Sequence, residues 1–421
     1  MNERMLRTIE RFVPRKLYRT LQPIYHFLLA WAGAIRYRFP AKHLTVILIT
    51  GTKGKTSTAE IMNGILEAHG AVTALLGTLR FKVADKNERN MRKMTIPGRF
   101  FIQKKLREAV DAGCTHAVIE MTSEGAKQFR HHGIDADVLI FTNLAPEHIE
   151  SHGSYEAYRD AKLSIARSLS RSSKPKRYVV ANTDDKEGHL FLAVPGVTPL
   201  PYARKDGEPI EADDRHISLS FRGMPMTSAL AGLFNAYNIL GAATAAEALG
   251  IPLETIAKGV AATTRIAGRA EKVDAGQSFP VVVDYAHTPD SLEALYGAFT
   301  PYHKICVLGN TGGGRDKWKR PVMGSIAETH CDTIILTNED PYDEDPRAIL
   351  DEIAGGMHTK TPEIILDRRE AIARAIQVAK ATEHAAVLIT GKGTDPYIMG
   401  PNGTRTPWDD ATVARELLKT N

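Results

Sequence analysis

Residues 44–60, LTVILITGTKGKTSTAE, constrain this chain more than any other stretch. A β-branched apolar run, Leu44 to Ile49, reads as a buried parallel strand. Gly51, Thr52, Lys53, Gly54, Lys55, Thr56 and Ser57 follow, and then a helical spacing of Ile61, Met62, Ile65 and Leu66. Strand, glycine loop and helix is the context of a phosphate-binding loop. The glycines let backbone N–H groups approach a polyphosphate, and the helix N-terminus favours its charge. Lys55 is expected to reach the β- and γ-phosphates, and the Thr56 hydroxyl to hold Mg²⁺. Ile49 stands where the usual loop has its first glycine, so this is a shortened variant.

The chain of 421 residues has room for two or three domains, and at 43% hydrophobic and 24% charged it reads as globular with a sizeable core. Cys114, Cys306 and Cys331 form no C-x-x-C pair. They imply no disulfide framework and no structural zinc, and suit a reducing cytoplasm. The start of the chain does not read as a signal peptide, and its apolar run 27–35 is too short to span a bilayer. Residues 1–43 carry nine Lys/Arg (Arg4, Arg7, Arg11, Arg15, Lys16, Arg19, Arg36, Arg38, Lys42) against Glu3 and Glu10, a net +7. With +5 for the whole chain, the rest has net −2, which is not a nucleic-acid-binding surface.

Pro14, Pro23 and Pro40 cut residues 1–43 into two expected short helices, a basic and aromatic segment that either packs on the body or meets a membrane or partner. From 44 to 266 strand and helix patterns alternate. Strands are expected at 116–121, 137–144, 178–182 and 216–221, with helices at 100–112, 155–169 and 233–249. A second alternation fills 267–421, with strands at 280–286, 304–310, 333–338 and 385–391. The expected architecture is α/β: a central parallel-sheet ATPase domain containing the phosphate loop, then a smaller Rossmann-like C-terminal domain.

Open α/β sheets bind ligands beyond the C-terminal ends of their strands. Glu120 ends one expected strand, and Asn143, Glu147 and His148 follow another, as reasonable Mg²⁺ ligands beside a nucleotide phosphate. HIESH, residues 148–152, is H-x-E-x-H rather than H-E-x-x-H and is expected in a loop, so a zinc-protease reading is rejected.

GTKGKTST, EMTSEG, FTNLAPEHIESHGSYEAYRDAK, LAGLFNAYN, GRAEKV, VVDYAHTPDSLEAL, GNTGGGRDKWKRPVMG, TNEDPYDEDP and ITGKGTD occur in that order. Together, over roughly 44–415, they resemble the Mur ligase family, most closely its MurE branch, which adds the third amino acid of the peptidoglycan stem peptide. The resemblance implies an ADP-forming acid–amino-acid ligase. ATP phosphorylates a muramoyl-peptide carboxylate, and a free amino acid displaces the phosphate. The implied cofactors are ATP and Mg²⁺ at two sites.

Carried over by position, the resemblance puts Lys55 and Thr56 on the phosphates and first Mg²⁺, with Glu120. His148 ligates the second ion. Lys162 is the lysine the family carbamylates. Asn235 and Asn238 lie near the adenine, Arg269 reaches the γ-phosphate, and Asp284, Tyr285 and His287 contact ribose and adenine. Thr95, Ser123, Gln128 and Arg130 face the muramoyl peptide. Arg320 meets the carboxylate of the incoming amino acid, near Gly391 and Asp395.

The departures from the pattern carry expectations of their own. Thr122-Ser-Glu124 replaces S-S-H, and Gly391-Lys-Gly-Thr-Asp395 replaces G-K-G-H-E. Glu339-Asp340-Pro341-Tyr342 replaces D-N-P-R, so an acidic pocket of Asp340 and Asp395, with Tyr342, is expected to favour an amino acid with a far-end ammonium. Only 43 residues precede the strand, whereas the MurE branch has a uridine diphosphate domain there. That leaves UDP-linked and lipid-linked acceptors both open, the latter with peripheral contact of 1–43 at the inner membrane face. A folylpolyglutamate-synthase-like ligase and a non-catalytic nucleotide-dependent scaffold are the rival readings.

Overall fold

The computed structural model describes residues 15–147, 149–314 and 316–420. Residues 1–14, which hold Arg4, Arg7, Arg11 and Pro14, and His148 lie outside the described residues. The chain forms two compact units. One takes residues up to Gly51, His69–Leu144 and Glu156–Tyr202; the other takes Thr52–Ala68, Ala145–Tyr155 and everything from Ala203 onward.

The first unit is built on strands β1 (Thr45–Thr50), β2 (Thr73–Leu76), β3 (Arg80–Val83), β4 (Lys86–Arg89), β5 (His116–Glu120), β6 (Val138–Phe141), β7 (Tyr178–Asn182) and β8 (Thr198–Tyr202). Their order across the sheet is β4-β3-β2-β5-β1-β6-β7-β8. β1 is central because Val46 to Ile49 are apolar on both faces, and it pairs in parallel with β5 and β6. The sheet is parallel as expected across β2, β5, β1, β6, β7 and β8, and departs from it at one edge, where β3 runs antiparallel to β2 and β4. Residues 77–79 and 84–85 connect these strands, far short of the dozen or so residues a parallel crossover needs.

The N-terminal segment also departs from expectation, because Arg15–Arg36 is one helix with Pro23 inside it rather than two short ones. Proline removes one intrahelical hydrogen bond, and contacts elsewhere along the helix hold it together. Ala30, Gly33 and Ala34 pack closely on helix Arg99–Asp111 and on Gly133. Phe27 meets Phe129 and His132 edge-on. The opposite face leaves Leu21, Ile24, Leu28 and Ile35 exposed. Among the described residues no helix is long and apolar enough to cross a membrane.

In the second unit, helix Lys55–Ala68 crosses helix Leu253–Ala262 at Gly64 and Gly259, where a Cβ on Gly259 would collide with the Ile65 backbone. A small antiparallel sheet holds β9 (Glu211–Ala212), β10 (Ile217–Phe221) and β11 (Met224–Ser228). The main sheet uses β12 (Glu271–Lys272), β13 (Val281–Val283), β14 (His303–Leu308), β15 (Thr333–Leu336), β16 (Glu363–Ile364) and β17 (Ala385–Ile389), in the order β12-β13-β17-β14-β15-β16. Alternation sends Val282, Cys306, Leu308 and Leu388 to one core, and Val281, Ile305, Val307 and Val387 to the other.

The cysteines overturn one expectation. Cys306 on β14 and Cys331, just after helix Lys319–His330, form a disulfide, leaving Cys114 as the free cysteine of the described residues. No short spacing announces the pair, because it is made by the sheet. The order of β14 and β15 places the two Cα atoms 6.0 Å apart across 25 residues.

Because Ala34 is fully buried beneath Gly133, Ala34→Leu forces extra methylenes into a filled contact. The expected loss is about 1–3 kcal/mol, read as a lower thermal midpoint. An unchanged midpoint would mean that the helix is not packed this way.

Candidate functional site

The phosphate loop leaves β1 at Gly51, whose φ of +149° lies in the glycine region, and a Cβ there would run into Thr142 Oγ1. Gly54 has φ +80°, and a Cβ on it would meet Asn238 Oδ1. Thr58 Oγ1 donates to the same Asn238 oxygen at 3.3 Å. Asn238 Nδ2 donates to Asn235 Oδ1, and Asn235 Nδ2 to Ala231 O, both at 2.8 Å. The two asparagines of helix Leu233–Ala248 are thus buried packing partners of the loop. Lys55 Nζ donates to Thr52 O at 2.9 Å, while Thr56 and Ser57 are buried in the first helical turn.

Around this loop the second unit gathers further charged groups. Lys53 Nζ lies 3.5 Å from Glu147, and Thr52 Oγ1 accepts from Ala145 N at 3.0 Å. His287 Nε2 is 3.0 Å from Glu147 Oε1, and its Nδ1 is 2.6 Å from Tyr285 O. Arg269 reaches Thr56 Oγ1 at 3.5 Å and stacks on the Tyr285 ring at 4.7 Å. Asp284 accepts the Ala270 and Ala286 N–H groups, one on each oxygen at 2.6 Å. Burial pushes its carboxyl above the usual range. The nearby Asp395 charge, then burial, raises the Tyr285 phenol well above its ordinary value.

The first unit carries the groups expected to face the acceptor. Glu120 ends β5, almost fully buried, with Oε1 accepting Thr78 N at 2.8 Å and Oε2 accepting Thr78 Oγ1 at 3.0 Å. A Cβ on Gly77 would strike this carboxylate. Thr95 Oγ1 lies 3.0 Å from Thr78 Oγ1. Lys162, 1% exposed, donates to Gly51 O at 2.7 Å and sits over the Tyr158 ring. Thr122 caps helix Ser123–Lys127 by accepting Gly125 N at 3.0 Å, and Ser123 is buried as its first residue. Gln128 Oε1 accepts from Arg130 NH2 at 2.8 Å, and the Gln128 carbonyl accepts from Arg99 Nε at 2.8 Å.

Three features of the C-terminal sheet edge were not legible in the sequence. The acidic pocket expected from Asp340 and Asp395 is already occupied: Lys392 Nζ donates to Asp340 Oδ1 at 2.9 Å and Asp395 Oδ2 at 3.4 Å, and to Tyr397 O at 2.6 Å. A fully buried lysine requires such partners, and it offsets one of the two negative charges on which the ammonium expectation rested. Arg320 is likewise fully buried between Glu352 at 2.8 Å and Glu344 at 3.2 Å, so a substrate carboxylate would compete with both. Lys319, unremarked in the sequence, is buried; burial lowers its affinity for a proton, opposed by Glu339, Glu147 and Asp316. Tyr342 sits at φ +53°, and Gly391, at φ +102°, leaves room for the Glu339 carboxylate.

HIESH forms the short helix Ile149–His152 rather than the expected loop, although its spacing still differs from a zinc-protease motif. Among the described residues no group of three His, Cys, Asp or Glu side chains could cage a metal. Mg²⁺ carried in on phosphates is bound by one or two protein oxygens rather than a closed cage. In the second unit the Thr56 hydroxyl, in the first turn of helix Lys55–Ala68, is a hard oxygen of that kind, and in the first unit the buried Glu120 carboxylate is another.

A glycine loop at the head of one parallel sheet, and a second α/β sheet whose ligand edge carries the remaining charged residues, define the class of ATP-dependent amide ligases. The chain belongs to the Mur ligase family: the Mur ligase middle domain matches residues 49–246, and the Mur ligase glutamate ligase domain matches residues 268–393. It is an ATP-dependent, ADP-forming ligase that uses Mg²⁺. It is 36% identical over 397 residues to the UDP-N-acetylmuramoyl-L-alanyl-D-glutamate–2,6-diaminopimelate ligase of Bacillus cereus, covering 91% of this chain and 79% of that one. It is 36% identical over 418 residues to the UDP-N-acetylmuramyl-tripeptide synthetase of a Roseiflexus species, covering 93% and 81%. A solved structure of a UDP-N-acetylmuramoyl-L-alanyl-D-glutamate–2,6-diaminopimelate ligase aligns with a TM-score of 0.61 at 28% identity, over 90% of this chain and 78% of that one.

Gly54→Ala should abolish ADP-induced thermal stabilisation, since it adds a clash with Asn238 to left-handed strain of about 1–3 kcal/mol. Retained stabilisation would show that the loop tolerates a Cβ. Glu344 gives a pH test. Partial burial raises its carboxyl, but the Gly314 N–H, Lys317 and Arg320 outweigh it and hold the value at about 2. A depressed folded value stabilises above the unfolded value of 4.5 and ceases to do so as pH falls through about 2. Glu344→Gln should therefore melt lower than the native protein at pH 7, with the gap closing between pH 4.5 and 2; a gap that is constant with pH would exclude the ion pairs as its source.

Proposed function

We propose that the chain joins an amino acid to the carboxylate of a muramoyl-peptide acceptor in peptidoglycan precursor synthesis. The observation that carries this reading is the placing of Arg269, His287, Glu147 and Lys53 around the loop that presents Lys55 and Thr56. An acceptor carboxylate oxygen attacks the γ-phosphorus of ATP, the bond to the bridging oxygen breaks and ADP leaves. The amine then attacks the acyl carbon, the C–O bond breaks, phosphate leaves and the nitrogen gives up a proton. Lys55 and Arg269 bind phosphoryl oxygens, and the Thr56 hydroxyl would hold Mg²⁺, which would neutralise phosphate charge; the buried Glu120 carboxylate is the first unit's own candidate ligand for such an ion. We assign residues 44–266 to nucleotide and acceptor binding, and 267–421 to the domain bringing Asp284, Tyr285, His287 and Arg320. The boundary between the two family matches supports that division.

The test is phosphate release from ATP, with product mass, against a panel of amino acids. UDP-linked and lipid-linked muramoyl dipeptides serve as acceptors, with folate as control. Release requiring both acceptor and amino acid is the expected result. Hydrolysis indifferent to every amino acid would leave a nucleotide-dependent scaffold, and a folate response would move the assignment to that class.

Lys162 is proposed to act as its carbamate, which turns a cation into an anion suited to a second Mg²⁺. Its burial and the Gly51 contact place the amine at the start of the loop. Lys162→Ala should lower turnover at least a hundredfold, with partial rescue by bicarbonate or a short carboxylate. Near-normal turnover without added bicarbonate would refute the carbamate.

The N-terminal helix is proposed to rest on the anionic lipid surface of the inner membrane's cytoplasmic face. Leu28 at 61%, Ile35 at 63% and Ile24 at 54% exposure line one face, beside Trp31 and near a segment of net +7. Such a face enters the headgroup boundary, and each basic residue near the surface contributes about 1 kcal/mol. Co-sedimentation with vesicles containing anionic lipid should fall several-fold in Ile24→Glu/Leu28→Glu. Equal sedimentation at low salt, where attraction is least screened, would refute the contact.

A further inference from the structure

A cluster of basic side chains in the first unit holds donors without partners. Arg99 of helix Arg99–Asp111 spends its Nε on the Gln128 carbonyl, and Arg130 spends its terminal nitrogens on Gln128 Oε1 and Ile96 O. Arg99 NH2, Arg130 Nε and His26 Nδ1 are buried and have no hydrogen-bond partner. Arg130 is only 8% exposed. A buried donor left unmade costs about 1–3 kcal/mol, more on a charged group, so the unmade N–H groups of Arg99 and Arg130, two arginines that both bond to Gln128, call for an acceptor. Burial, then Arg99 and then Arg130, lower His26 to about 4; burial and Arg130 lower Arg99 to about 10. The charged neighbours are Arg99, Arg130 and Glu124, with Tyr25 beside Arg99. Two guanidiniums against one carboxylate leave one net positive charge around a neutral imidazole.

The cluster stands apart from Glu120. Thr78 on the Glu120 carboxylate, Thr95 on Thr78, and the Ile96 carbonyl on Arg130 make a polar chain from the end of β5 to Arg130. We propose that His26 and Arg99 join Arg130 in a pocket for an anionic group of the acceptor, so that the N-terminal helix is itself part of the acceptor site. This rests on the ligase reading above. The shared chemistry is a singly charged oxyanion, either a carboxylate other than the one ligated or a phosphate. Its oxygens accept from Arg99 NH2 and Arg130 Nε. His26 donates a third hydrogen bond and takes up a proton more readily once the anion offsets the two guanidiniums.

The test is calorimetric binding of glutarate and, separately, inorganic phosphate to the full chain at pH 5.5 and 7.5, at constant ionic strength. One of them should bind at least threefold more tightly at pH 5.5, and which one does so distinguishes carboxylate from phosphate. His26→Gln should remove the pH difference, Arg99→Gln should weaken binding at least tenfold, and Arg99→Lys should restore part of it. With UDP-N-acetylmuramoyl-L-alanyl-D-glutamate as acceptor, His26→Gln and Arg99→Gln should raise the acceptor KM at least fivefold and leave the ATP KM unchanged. No binding of either anion to the native chain, or acceptor KM values unmoved in both variants, overturns the pocket while leaving acceptor-dependent phosphate release, and so the ligase reading, intact. Anion binding lost in Arg99→Gln, in a chain whose phosphate release ignores the acceptor, keeps the pocket and overturns the ligase reading.

Discussion

The phosphate loop keeps its shape because Asn238 presses its side-chain oxygen against Gly54 and takes the Thr58 hydroxyl. A loop that turns its N–H groups toward a ligand cannot use them among themselves, so its conformation must be imposed from outside. Here a buried pair of asparagines on an alanine-rich helix imposes it, and Asn235 fixes which way Asn238 points. Asn238 therefore acts first as a positioning residue. The absence of a Cβ at Gly54 makes room for it, and the helix on which Thr58 sits is locked in turn by the Gly64–Gly259 crossing.

Buried charge in the second unit is handled by pairing. Lys392 lies between Asp340 and Asp395, Arg320 between Glu344 and Glu352, and Arg368 makes a fully buried pair with Asp410. Removing one partner of such a pair leaves an uncompensated charge, which costs far more than the pair contributes. These pairs therefore shape pockets by subtraction. A residue that looks available to substrate in the sequence is already committed, and the specificity of the amino-acid site cannot be read from Asp340 and Asp395 without Lys392. The basic cluster of Arg99, Arg130 and His26 is the contrary case, in which donors are brought together and left unmatched.

Elements whose signal is local were legible. The helix at Tyr155–Leu169 follows directly from periodicity, because burial of one face repeats at the period of the element itself, and strands β5 and β7 follow from short continuous apolar runs, because they are buried on both faces. A strand end then located Glu120, since the ligand edge of a parallel sheet is a consequence of topology, whereas Asp284, Tyr285 and His287 came only from the motif that resembled the family. The two-helix reading of residues 15–36 failed because proline disrupts only its own turn, and packing of Ala30, Gly33 and Ala34 outweighs it. Thr78, Lys319 and Lys392 escaped notice, although the motifs that resembled the family contain the two lysines; nothing about one residue type states which carboxylate it will meet.

By itself the sequence determined the alternation of strand and helix, the phosphate loop and the order of the chemical groups along the chain. These depend on neighbours within a few residues, where spacing alone sets geometry. Only the tertiary structure decided that Cys306 meets Cys331, that β3 and β4 turn back antiparallel, that Lys392 closes the acidic pocket, and that His26 stands with Arg99 and Arg130. Each of those meetings joins residues from different elements, and their energies depend on distance and desolvation, quantities that exist only once the chain has folded.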